Sequence, residues 1–325
     1  MPKQTWIVDQ KDRLDTFLST KLQVAKNQVL QLIKAGCVRL NGGACSKGGV
    51  GVKLGDVLEI WSIQPQESQP LSLPPLDLEI IYEDEDILVI NKPPHLVVHH
   101  ASSVKEATLV DYLQARGYAL STLSGALRYG IVHRLDKDTS GVLVVAKNNA
   151  SHAHLATQLK SKQMGRYYLA ILSEPLNNPV SVACHLGRHP NNRLKMTNLD
   201  ALRTPIRGGK MSKTHFVPLI TGTNQTQLIC AKLETGRTHQ IRAHLESLNR
   251  HIVGDPLYGQ KDSYAGRILL HAYLLYATHP KDGRKLLFKA NMLKDMLQYL
   301  ENHFEGMSWD GLESSIGDLF GSIAG

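Results

Sequence analysis

The sequence predicts an α+β protein of two domains, and three observations predict it. Residues 12–61 read as two amphipathic helices followed by short strands. A run rich in proline, serine and glutamine, residues 62–76, then breaks all periodicity. From residue 77 onward strand-like apolar runs alternate with a few helical patterns.

The first helix rests on Leu14, Phe17, Leu18 and Leu22, which share one helical face. The second rests on Val29, Leu30, Leu32 and Ile33, with Gly36 as its C-terminal stop. CVRLNGG is a short strand ending in an Asn41-Gly42 turn, and VLEIW is a strand entered through Gly55-Asp56. Pro65, Pro70, Pro74 and Pro75 place a domain boundary in the run between 62 and 76. LEIIYEDEDILVINKPP predicts two strands about an acidic turn, Glu83 to Asp86, read as solvated rather than metal-binding. GVLVVAK and RYYLAIL are buried-type strands, and HAHLATQLKSK is a helix with Leu155 and Leu159 in register. QLICAKLE leads as a strand into the helix THQIRAHLESL. In the tail, residues 301–325, Trp309, Leu312, Ile316 and Leu319 fall at helical intervals, which fits a short docked helix or a disordered end.

No run of about 18 apolar residues occurs, and the N-terminus lacks an apolar signal core, so a cytoplasmic protein without a membrane span is expected. Cys37, Cys45, Cys184 and Cys230 form no CxxC pair, and the histidines have no HExxH or zinc-finger spacing; free thiols and no metal are expected. The net charge is +8. Residues 1–61 hold nine lysines and arginines against five acids, whereas residues 301–325 hold five acids and no lysine or arginine. A basic body with an acidic tail fits a polyanionic partner. Lys26, Lys34 and Arg39 are the candidates for a basic RNA-facing surface.

The strongest chemical signal is IVHRLDKDTSGVLVVAK, residues 131–147. It sets His133, Arg134, Asp136 and Asp138 in a polar turn before a buried strand, where rigid elements commonly hold functional loops. On chemistry alone this turn fits a structural ion pair as well as a catalytic site.

Further segments resolve that ambiguity. HRLDKDTSG resembles the catalytic motif of the RluA family of RNA pseudouridine synthases. In the family's order, so do YEDEDILVINKP, Arg166-Tyr167-Tyr168-Leu169-Ala170, RHPNNRLKM with its following GGK, LETGRTHQIRAHL at 233–245, GDPLYG at 254–259, and Arg267 through His271-Ala272. The run from Asp12 to Ile60 resembles the S4 RNA-binding domain. The two together resemble members that modify large-subunit ribosomal RNA. His95 and His100 depart from the pattern, standing where the family often has glycine and proline.

The resemblance implies four segments. An S4-like α/β module spans residues 1–61, a linker 62–76, and a catalytic domain 77–300 with a mixed, largely antiparallel central sheet flanked by helices; the acidic tail is 301–325. It implies Asp136 as the essential carboxylate, either attacking C1′ or assisting the departure of uracil. Arg242 is its implied partner, and Tyr168 is implied to stack on uracil and to help remove the C5 proton. Tyr167, its neighbour on a strand, reads as core filling. The uridine must leave its stack, with Arg134 filling the space behind it. Arg134, His133, Lys137 and Arg237 are expected on the substrate side, with no acid–base role for His133 or His239. Breaking and remaking one glycosidic bond needs neither redox nor phosphoryl chemistry, so no cofactor is expected, and the protein is read as a monomer. Two rivals are a binding protein that kept the fold and lost activity, and a nucleoside hydrolase. The intact Asp136, Tyr168 and Arg242 argue against the first, and the lack of a second cooperating carboxylate argues against the other.

Overall fold

The computed structural model describes residues 3–22, 26–61, 73, 75–101, 104–125, 127–202, 208–259, 264, 266–304, 306, 312 and 316. The chain divides into two compact units, Met1–Pro75 with Thr122–Tyr129, and Leu76–Ser121 with Gly130–Gly325.

The first unit runs β1 (Lys3–Ile7), β2 (Asp12–Arg13), α1 (Leu14–Leu22), α2 (Lys26–Lys34), β3 (Val38–Leu40), β4 (Gly43–Ala44), β5 (Gly51–Val52) and β6 (Val57–Trp61). An antiparallel sheet has the order β1-β6-β3-β4, and β2 pairs with β5. Leu14, Phe17 and Leu18 from α1 meet Val29 and Ile33 from α2 over Val38, Leu58 and Ile60. Those are the apolar positions whose spacing predicts the two helices. Asn41 and Gly42 take φ of 51° and 81°, the left-handed pair that a two-residue hairpin between β3 and β4 requires. The Asn41 side chain adds bonds to Asp56 and to the Val57 N–H. Lys26, Lys34 and Arg39 are all exposed. Lys26 donates to Thr16, and Arg39 lies over the Trp61 ring at 5.1 Å.

The second unit runs β7 (Glu79–Glu83), β8 (Ile87–Lys92), α3 (Leu109–Ala115), β9 (Ser140–Ala146), α4 (Asn149–Ser161), β10 (Gly165–Leu172), β11 (Val180–Arg188), β12 (Met196–Asn198), β13 (Lys210–Thr221), β14 (Gln227–Leu233), α5 (Gln240–Glu246), β15 (Leu270–Thr278), β16 (Lys285–Lys289) and α6 (Lys294–His303). Its sheet has the order β12-β11-β13-β14-β10-β15-β9-β8-β7, with β16 beside β15. All these pairings are antiparallel except β15 with β9. The mixed, largely antiparallel sheet that the resemblance implies is present. β8 and β9 are buried at every position, which explains their unbroken apolar runs.

The parallel junction is short and tightly built. His271 faces Ser140, and Ala272 faces Gly141. A Cβ on Gly141 would lie 2.2 Å from the Ala272 carbonyl oxygen, and its φ is 115°, so only glycine fits. The His271 ring accepts from the Ser140 hydroxyl at 2.8 Å and donates to the Ala290 carbonyl at 3.0 Å.

The acidic turn differs from its expectation. Asp84 is half-buried and accepts from the backbone of Asp86 and Ile87, from the Tyr82 hydroxyl and from His279. Asp86 accepts from Asn148 and Ser151. The turn is a cross-linking node, because a carboxylate that fixes a tight β-turn also has lone pairs to spare for neighbours.

Of the tail, Ile316 is fully buried against Met296, Leu300 and Phe304, and Leu312 packs beside them; Trp309 and Leu319 lie outside the described residues. Most of the run 62–76 lies outside them too. The four cysteines are free thiols. Among the described residues no helix is long and apolar enough to cross a membrane.

Candidate active site

The turn that carries Asp136 is tied down residue by residue. The Thr139 N–H donates to the Asp136 carbonyl at 3.2 Å. Lys92, fully buried at the end of β8, donates to the carbonyls of Lys137, Leu96 and Pro93 at 3.1, 3.0 and 2.6 Å. Burial draws its ammonium down to about 7, while the charges of Asp138 and Asp136 act in the opposite sense. Asp138 is held by His95 Nδ1 at 2.8 Å. His95 has φ of 61°, a conformation that glycine adopts freely; here the ring takes up a contact that glycine cannot make. Ser140 then enters the parallel junction. Such holding gives the Asp136 carboxylate a fixed position before any substrate arrives.

The second wall comes from β14 and α5. Gln240 accepts from the Thr235 hydroxyl and the Arg237 N–H, and donates to the Lys213 carbonyl and the Thr214 hydroxyl. These bonds fold the 235–239 turn back on β13. His239, with φ of 53°, caps α5, which starts two residues later than the segment read as helical, THQIRAHLESL. The first turn of α5 presents Arg242.

Asp136, Tyr168, Arg242, Arg134 and Arg237 line one open cleft, with Arg166, His239 and Gln240. Arg242 Nη1 lies 3.8 Å from Asp136 Oδ2. Its bidentate partner is Asp255, at 2.7 Å from both Nε and Nη2, where the resemblance implies Asp136. Asp255 is almost wholly buried and also accepts the Leu257 and Tyr258 N–H groups. Burial disfavours the charge on Arg242, but the Asp255 bonds and the Asp136 charge outweigh it and raise its pKa. The guanidinium therefore stays ionised and fixed, 4.8 Å over the Tyr258 ring, with one edge left for Asp136.

Tyr168 is 4% exposed. Burial raises its pKa, so at neutral pH it offers a ring face and a protonated hydroxyl, not a phenolate base. Tyr167 packs with the core, against Tyr276, as its place on the strand predicts. Arg134 and Arg237 are exposed at the rim.

Two expected substrate-side residues differ in their placement. His133 is buried, with Nδ1 at 2.8 Å from Arg166 Nη1 and Nε2 at 3.2 Å from the Val144 N–H. Burial, reinforced by the Arg166 charge, holds its pKa well below the usual histidine value. It is a neutral packing ring, because the turn folds it inward under β9. Lys137 is exposed, pairs with Glu106 at 2.9 Å, and borders a second hollow that Asp136 also lines.

Asp255 and Arg166 have no role in the sequence reading. The signal for Asp255 is a matter of charge: a buried arginine needs an anion to fix it.

Residues 86–247 match the RNA pseudouridylate synthase family, and residues 12–58 match the S4 domain. The chain is 54% identical over 304 residues to an uncharacterized RNA pseudouridine synthase of Helicobacter pylori, covering 92% of each. It is 37% identical over 298 residues to the ribosomal large subunit pseudouridine synthase D of Zymomonas mobilis, covering 87% of this chain and 91% of that one. Among solved structures, human RNA pseudouridylate synthase domain containing 1 superposes with a TM-score of 0.56 at 26% identity, over 69% of this chain and 88% of that one. An S4 module, a synthase sheet and relatives matched over nearly their full lengths lead to one conclusion: the chain belongs to the RluA family of RNA pseudouridine synthases.

Proposed function

We propose that this enzyme isomerises specific uridines of large-subunit ribosomal RNA, free or in an assembling particle, with Asp136 as the essential carboxylate. The observation that carries the reading is the cleft itself, where Asp136 stands 3.8 Å from an arginine already neutralised by Asp255, on a wall shared with Tyr168. The ribosomal target is supported by relatives such as the large-subunit synthase D of Zymomonas mobilis.

In this reading the S4 module engages phosphates through Lys26, Lys34 and Arg39, and Arg237 does so at the cleft rim. The target uridine swings out of its stack, and Arg134 occupies the space behind it. Asp136 acts at C1′ as the C1′–N1 bond breaks, by attack or by assisting departure. The freed uracil turns against the Tyr168 ring, and C5 bonds to C1′. The C5 proton then leaves, and N1 gains one. Because Tyr168 is protonated, it passes that proton only in concert with an acceptor such as Asp136. The protein works as a monomer in the cytoplasm, where ribosomal RNA is made.

Tritium release from ribosomal RNA transcripts labelled at uridine C5 tests this. The wild type should release tritium. Asp136→Asn should release none, yet bind the same RNA within about twofold, since one uncharged-for-charged swap in a preformed cleft spares the phosphate contacts. Release by Asp136→Asn at the wild-type rate would remove Asp136 from the chemistry. Release from other RNAs but never from large-subunit transcripts or particles would overturn the ribosomal target.

A further inference from the structure

We infer that Arg166 is a further catalytic residue, which stabilises the uracil anion while the base is detached from the sugar. The inference rests on the isomerase reading above. Arg166 is 6% exposed, and among the described residues no carboxylate lies within ion-pair distance of it. Its Nε is buried and has no hydrogen-bond partner. Its Nη1 meets only the ring of His133, which is neutral. That ring has a single lone pair for two donors, Arg166 and the Val144 N–H. A desolvated guanidinium without a counter-charge is costly, and proteins keep one where an absent acceptor completes it.

The direction of that acceptor is set by the cleft. Arg166 lies two residues before Tyr168 on β10, and both reach the wall that Asp136 and Arg242 share. The two arginines differ in what remains of their charge. Arg242 is neutralised by Asp255, whereas Arg166 keeps its full field for the cleft. Depth selects the ligand: Arg237 at the exposed rim suits phosphates and Arg134 the space the uridine leaves, and a buried cation beside the stacking tyrosine suits the base.

When the C1′–N1 bond breaks, its electron pair stays on uracil and spreads over N1, O2 and O4. This is the anion that forms inside the cleft. Arg166 donates to a carbonyl oxygen of the base, most strongly once that charge has developed, and holds the fragment while it turns. Bonding of C5 to C1′ consumes the pair. Loss of the C5 proton and protonation of N1 restore a neutral base.

The test varies the leaving group. Fluorine at C5 acidifies uracil, so its anion needs less help to depart. Single-turnover formation of the C5–C1′ bond is followed by nuclease digestion and mass spectrometry, on one ribosomal transcript made with uridine or with 5-fluorouridine; the fluorinated base has no C5 proton to lose, so its C5-linked product keeps fluorine and adds water across N1 and C6. Arg166→Met should slow the uridine RNA on the order of 100-fold, as loss of one preorganised donor does. On the 5-fluorouridine RNA the loss should be several-fold smaller, and Arg166→Lys should recover part of the rate on both. Gly236→Ala is the second variant, because its Cβ would stand 3.1 Å from Arg166 Nη2 and displace the guanidinium without removing it. It should show the same dependence on leaving group, with smaller losses. Equal losses on both RNAs in either variant would overturn the inference, since a packing role is blind to the leaving group. A wild type that converts neither RNA would sink the isomerase reading itself.

Discussion

At the scale of single residues, the site turns on which carboxylate holds which arginine. The resemblance implies Asp136, Tyr168 and Arg242 as site residues, and the three line one cleft. It does not show that Arg242 spends its two best donors on Asp255. Motifs preserve the residues that meet substrate, while the anion that fixes one of them sits in a segment, GDPLYG, with no chemistry of its own to announce it. Asp255→Ala breaks a buried pair, so chemical denaturation should show a stability loss of about 3 to 5 kcal/mol. Single-turnover conversion should slow as well, because the freed Arg242 closes on Asp136 and holds it away from C1′. A variant as stable as the parent would mean that Arg242 has another anchor. His133, expected on the substrate side without an acid–base role, lies inward instead, because a turn before a buried strand must send alternate side chains inward. His95 also shows what pattern cannot settle, since its left-handed backbone and its bond to Asp138 appear only in three dimensions.

At the scale of elements, the runs with one strong period are legible and the others are not. The Asn41-Gly42 hairpin, β8, β9, β10 and α4 follow from turn chemistry and from unbroken or helically spaced apolar residues. The strand β11 alternates, with Ser181, Ala183 and His185 outward and Val182, Cys184 and Leu186 inward, but nothing local sets it beside β13. What binds that half of the sheet is partly ionic. Glu234, on the turn after β14, accepts from His215 of β13 at 2.6 Å and pairs with Lys162 and Lys213 at 2.6 and 3.0 Å. Burial pushes the Glu234 carboxyl up, but these partners outweigh it and bring it down to about 2. A depressed carboxyl stabilises the fold fully above its ordinary value of 4.5 and loses that contribution as pH falls toward 2. Thermal unfolding between pH 5 and pH 3 should therefore show a steeper decline in the wild type than in Glu234→Gln, to be measured at roughly constant ionic strength. Parallel declines would show that the cluster adds nothing to folding.

At the scale of the whole molecule, the N-terminal unit has its own core and an exposed set of basic side chains, and its contribution should be electrostatic. Removing residues 1–61 should weaken RNA binding and flatten its salt dependence, with the slope of log affinity against log salt falling by about two if Lys26, Lys34 and Arg39 each hold a phosphate. An unchanged slope in filter binding would strip that surface of its RNA role. The order of the strands has a different consequence, which concerns synthesis. Asp136 leads directly into β9, and β9 is closed on one side by β15, where Ser140 and His271 are 131 residues apart in the chain. A ribosome adding about 5–20 residues per second needs roughly 7–26 seconds to cover that interval. During that time a nascent chain already displays its whole catalytic motif, yet the strand that fixes it does not exist. The motif is thus made early and fixed late, when nearly all of the chain has been translated.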